Sequence, residues 1–209
     1  AGAPLDWFAR VAADLADVEC AGVCIDTGHV GLYAVWRELE RPPAVTGQLS
    51  VEGGRLATVA DRVDRATSHA LPALLALVGD VGGTGCGVHF HLHDGHPALP
   101  GLSDHRSFLF RLPVPFDHHG ARSMAPMYGP TGLTAVLDAA VRGISPDRLS
   151  LTIEVHQAEG RLPLTGEARS LFRHWSDLTN AERFNYWLSV IADNQVLAQA
   201  ALTGPSHLR

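Results

Sequence analysis

Val88-His89-Phe90-His91-Leu92-His93-Asp94 alternates imidazoles with apolar side chains and closes on a carboxylate. Successive strand residues point to opposite faces, so the run predicts a strand with Phe90 and Leu92 on one face and His89, His91 and His93 on the other. A half-exposed, His-rich strand satisfies this pattern as well as a ligand-bearing one does. The surroundings favour the ligand-bearing strand: 7 of the 12 histidines lie between positions 89 and 119, and two other strand-like runs each end in a lone acid.

Upstream, Ala21-Gly22-Val23-Cys24-Ile25-Asp26 is a short apolar run stopped by Thr27-Gly28, which leaves Asp26 at its carboxyl end and His29 three residues on. Downstream, Leu149 to Val155 alternates Leu151, Ile153 and Val155 with Thr152, Glu154 and His156. Helical spacing fills the intervals. Pro4 can occupy a first turn ahead of Leu5, Phe8, Ala12 and Leu15; a pattern after Gly53-Gly54 is kinked or divided at Pro72; Leu133 to Val141 ends at Gly143. Thr179-Asn180-Ala181-Glu182 is a capping box opening a last helix, with Phe184, Trp187, Leu188, Ile191 and Leu197 at helical intervals. Strands alternating with helices predict an α/β fold with a parallel sheet, in one domain over 1–209 with a long loop at 95–130.

Composition narrows the function classes. The 209 residues, 46% hydrophobic and 18% charged, are enough for a full core. All 16 basic residues are Arg and the net charge is −6, so no basic tract exists to follow a phosphate backbone, which disfavours a nucleic-acid partner. Cys20, Cys24 and Cys86 form no CxxC pair and read as buried, reduced thiols, which points to the cytoplasm. No apolar run is long enough to span a bilayer.

In parallel α/β folds the carboxyl ends of the strands carry the chemistry. Here they deliver Asp26 and His29, then His91 with His93 and Asp94, then Glu154. Imidazole combined with carboxylate suits a divalent metal such as Zn²⁺, Mn²⁺ or Co²⁺. Each acid alone is more often a hydrogen-bonded cap; three in succession point to a shared site.

These residues resemble the xylose isomerase-like TIM barrels, the superfamily of sugar isomerases and epimerases and of the endonuclease IV nucleases. Asp26-Thr27-Gly28-His29 is similar to the DTxH element, and His89 to Asp94 to the HxHxxD strand. Leu151-Thr152-Ile153-Glu154 looks like the late strand whose Glu is a ligand, and Gly129-Pro130-Thr131-Gly132 like the GxG turn. The resemblance covers about residues 5 to 160 and implies a partial (β/α)8 barrel, roughly its second half, with outer helices. It implies Asp26, His91 and Glu154 as ligands of Mn²⁺, Co²⁺, Mg²⁺ or Zn²⁺, Glu154 also as a catalytic acid/base, and His29 as a substrate contact or, in the nuclease branch, a ligand. It sets His89 one layer deeper, as a neutral core histidine, and His93 at the rim, facing the substrate or as an additional ligand.

Two departures from the pattern matter. The resemblance implies a further ligand Glu on a strand before Asp26, and only one helix precedes that position; the expectation is a barrel fragment whose amino-terminal half, or a second copy, completes it. The nuclease branch carries an additional DxH pair, for which Asp117 with His119 and Asp104 with His105 are both candidates. The implied function is a divalent-metal isomerase or epimerase that acts through an enediolate on a small sugar, polyol or related hydroxycarbonyl compound. The alternatives are an endonuclease IV-like phosphodiesterase and an inactive, degenerate barrel.

Overall fold

A computed structural model of the chain describes residues 4–40, 62, 65–95, 105, 107–108, 127–155 and 179–203. Helix α1 (Pro4–Leu15) has Pro4 at its start and Asp6 in its first turn, both suited to a helix amino end. Its stripe is the expected one: Ala12 is fully buried, and Leu5, Phe8 and Leu15 pack against the core. The chain turns through Cys20 at φ +61° into strand β1 (Gly22–Asp26). Helix α2 (Thr27–Glu40) follows without a loop, because the Asp26 carboxylate accepts the His29 amide at 2.9 Å and so caps the first turn.

Residues 65–67 are helical and a turn at 68–69 divides them from helix α3 (Ala70–Gly82), which carries Pro72 in its first turn, where a missing amide costs nothing; the pattern is divided at the proline and not kinked. Strand β2 (Gly87–Leu92), helix α4 (Gly129–Gly143), a 3₁₀ turn (Pro146–Arg148), strand β3 (Leu149–Ile153) and helix α5 (Asn180–Thr203) complete the order. No helix among the described residues is long and apolar enough to cross a membrane.

The strands are parallel and lie in sequence order, β1-β2-β3, with Asp26 beside His91 and His91 beside Thr152. Right-handed crossovers that all step the same way place their helices on one face of a sheet. That face is the core. Ile25, Phe90 and Leu92 are fully buried there among Leu74, Val78, Leu133 and Leu137, each such side chain contributing about 1.5–3 kcal/mol. The opposite face carries Cys24, His89, Ser150 and Thr152, all exposed or half-buried. Among the described residues the sheet is three-stranded, flanked by helices and not closed into a barrel.

Three expectations change. Cys24 lies exposed on the open face and Cys20 in the exposed turn, so only Cys86 is a buried thiol, and all three are free. His89 is half-buried, with Nδ1 2.8 Å from Ser150 Oγ and Nε2 3.2 Å from Thr152 Oγ1, because the open sheet supplies no second layer to enclose it. In α5 the apolar stripe meets the core only in part: Leu197 packs against it and Trp187 and Ile191 are half-buried, but Phe184 and Leu188 are exposed, while Asn194, Ala198 and Ala201 are buried where α5 meets α4 and β3.

A candidate metal centre at the carboxyl ends of the strands

Asp26 ends β1 and Glu154 follows β3, its amide continuing the ladder to the Leu92 carbonyl at 3.1 Å. Both carboxylates therefore stand at the same edge of the sheet. Each serves two imidazoles. Asp26 Oδ1 lies 2.7 Å from His93 Nε2, and Oδ2 2.7 Å from His29 Nδ1. Glu154 Oε1 lies 3.5 Å from His105 Nε2, and Oε2 2.7 Å from His91 Nδ1. The inner histidines stack on each other, and His29 sits edge-on to both at 5.3 Å.

Asp26, His93, His105 and Glu154 each offer one donor atom, and these atoms lie within 4.8 Å of one another. Ligands at about 2.1 Å from a cation lie roughly 3 to 4 Å apart, so a small contraction would bring this N₂O₂ set to bonding distance. The buried Glu154 Oε2 makes no aligned hydrogen bond among the described residues despite its closeness to His91. The group could hold a divalent metal ion.

Electrostatics agree with the geometry. Burial alone would push the Asp26 carboxyl up, but the hydrogen bond and charge of His93, with the amide and ring of His29, hold it well below its ordinary value. Burial would push His93 down, yet the bond and charge of Asp26, aided by the Asp94 carbonyl and Glu154, leave it raised. An ionised Asp26 is ready to bind a cation, while the His93 proton must leave first. His93 Nδ1 has two neighbours, the Asp94 carbonyl at 2.9 Å and the His105 amide at 2.8 Å. They demand opposite tautomers, and the Nδ1–H form, which donates to Asp94, is the one that frees Nε2 for a metal.

The frame around His93 is dense. Thr27 Oγ1 accepts the His93 amide at 3.0 Å and lies 2.6 Å from the His93 carbonyl, tying the end of β2 to the start of α2. A Cβ on Gly28 would stand 2.1 Å from His93 Cε1, so only glycine lets the ring lie there. Asp94, fully buried, accepts the amides of Gly95, Met127, Tyr128 and Gly129, which satisfies the amino end of α4 with a negative charge. Tyr128 donates its hydroxyl to the Thr27 carbonyl at 2.7 Å; burial, then the charges of Asp94 and Asp26, push its pKa far up and keep it a phenol. Burial and the charge of Asp26 likewise raise the Cys24 thiol, which is therefore not an activated nucleophile.

Of the expected site residues, Asp26 and Glu154 enter the four-donor group and His29 and His91 flank it, each on the outer oxygen of one carboxylate. His93, expected at the rim, is fully buried and inside the group, because His105 covers it and Asp26 draws its ring inward. His105 enters with it. Asp104, Asp117 and His119 lie outside the described residues. The strand alternation that puts His93 on the face of His91 signals its place; nothing local in the sequence signals the partnership of His93 with His105, or those of Thr27 and Tyr128. Comparisons with protein-family models, with curated proteins and with solved structures find no match for this chain.

Proposed function

We propose that the chain binds one divalent cation through Asp26, His93, His105 and Glu154, as part of a metal-dependent isomerase or epimerase for small sugars, polyols or related hydroxycarbonyl compounds. The observation that supports this reading is the convergence of two carboxylates and two imidazoles at the carboxyl ends of parallel strands, one face of which packs against the described helices. That one-sided winding suits a segment of a (β/α)8 barrel. A bound cation supplies Lewis acidity toward adjacent substrate oxygens.

In this reading the protein's own groups manage the protons. Glu154 takes a proton from the substrate carbon and returns one to the adjacent carbon while the hydroxyl proton moves between the two oxygens, and half-exposed His91, 2.7 Å from its outer oxygen, lets that proton exchange with solvent in between. Exposed His29, steadied by Asp26, holds a substrate hydroxyl. Asp26, kept ionised, anchors the cation and takes no part in proton transfer.

The test is to titrate the chelator-treated chain with Zn²⁺, Co²⁺, Mn²⁺ and Mg²⁺, then to incubate the loaded chain with a panel of aldoses and ketoses in D₂O. One cation per chain and deuterium at the carbon beside the carbonyl are expected. Absence of cation binding removes the metal reading, and binding without exchange removes the isomerase reading.

A further inference from the structure

Helix α5 buries few side chains fully: among its described residues Asn194, Ala198 and Ala201 are buried, with Leu197 and Leu202 packed against the core beside them. Packing alone would be served by an aliphatic residue at 194, and asparagine is a poor choice inside a helix, since its amide competes with the backbone. Asn194 is nevertheless fully buried, and its amide is committed at both ends. Oδ1 accepts the Phe108 amide at 3.0 Å, across 86 residues of sequence; Nδ2 donates to Ser107 Oγ at 2.7 Å and to the Val190 carbonyl at 2.7 Å. A buried polar group paired in this way specifies one position for the segment it holds.

That segment carries His105. His105 has φ +54°, a left-handed conformation that a non-glycine residue keeps only when its surroundings impose it. Just beyond it, Ser107 and Phe108 are tied to Asn194, and the Phe108 ring is buried 6.5 Å from that of Tyr128. With the segment fixed there, the His105 ring lies on His93 and presents Nε2 toward Glu154. We infer that Asn194 is a positioning residue, acting through the Ser107-Phe108 backbone to hold His105 in the four-donor group. This rests on the reading of that group as a cation site.

The test is Co²⁺ affinity, followed by visible absorption, for the full chain and for Asn194→Ala, His105→Ala and the double variant, with chemical unfolding of each metal-free protein. Asn194→Ala should weaken Co²⁺ binding about tenfold, His105→Ala at least as much, and the double variant no more than His105→Ala alone. A purely structural asparagine would lower the unfolding midpoint and leave Co²⁺ affinity unchanged, which overturns the inference. So does a double variant in which the two losses multiply. If Asn194→Ala does not fold, Ser107→Ala, which removes one acceptor of the latch, should weaken Co²⁺ about threefold, and unchanged affinity there overturns the inference. Failure of the cation reading looks different: the wild type and His105→Ala then bind Co²⁺ equally or not at all, and the inference falls with it.

Discussion

The imidazoles of His93 and His105 lie face to face, with centroids 4.3 Å apart and planes 12° from parallel. His93 is held above its ordinary 6.5, and its contribution to metal-free stability is present below that value and lost as pH rises through the raised one. Asp26 is depressed, so its contribution is present above its ordinary 3.8 and lost as pH falls toward the lower folded value. Metal-free stability from this pair is therefore greatest between those two ordinary values and declines as pH rises through the raised His93 value. Cation binding, which displaces the His93 proton, should tighten over the same alkaline rise. Thermal melts from about pH 5 to 8, with and without Zn²⁺, check both; a Zn²⁺ affinity independent of pH would contradict the displacement.

His91 and His93 are two residues apart yet differ in role. His93 Nε2 faces Asp26 inside the group, whereas His91 lies 2.7 Å from the outer oxygen of Glu154 and edge-on to His89. His93→Ala and Asp26→Asn should each reduce Co²⁺ affinity at least ~100-fold, and His91→Ala less than ~10-fold. Competition titration separates them. The reverse order would make His91 the ligand, as the strand motif suggests.

Asp94 concerns stability first. Its carboxylate is fully buried and collects four main-chain amides that bring the 127–129 segment and the head of α4 onto β2. Asp94→Ala leaves those donors without an acceptor and should cost about 3–5 kcal/mol. Urea unfolding of the metal-free protein measures it, and a loss below ~1 kcal/mol would show that water replaces the carboxylate.

The thiols report on the open sheet face. Cys20 is exposed in a turn, Cys24 is exposed but raised by burial and by Asp26, and Cys86 is buried. A disulfide reagent at neutral pH should modify Cys20 first, Cys24 more slowly and Cys86 only on unfolding. Rapid reaction of Cys86 in the folded protein would mean that the β2 core opens readily.

Period-two alternation and helix-end chemistry are local, and so the strands, their inward faces and the acids at their ends are legible in the chain. Val23 and Ile25, Phe90 and Leu92, and Leu151 and Ile153 all face the core as their spacing predicts. The site is only half legible for the opposite reason. Asp26 and Glu154 can be picked because a strand end is a local place, but the choice of His93 over His91 depends on register across β1 and β2 and on a ring arriving from residue 105. Asn194 looks like a polar residue on a solvated helix until the packing of α5 buries it against Ser107 and Phe108. Contacts between residues tens of positions apart follow from how helices and strands pack, which a short window of sequence does not contain.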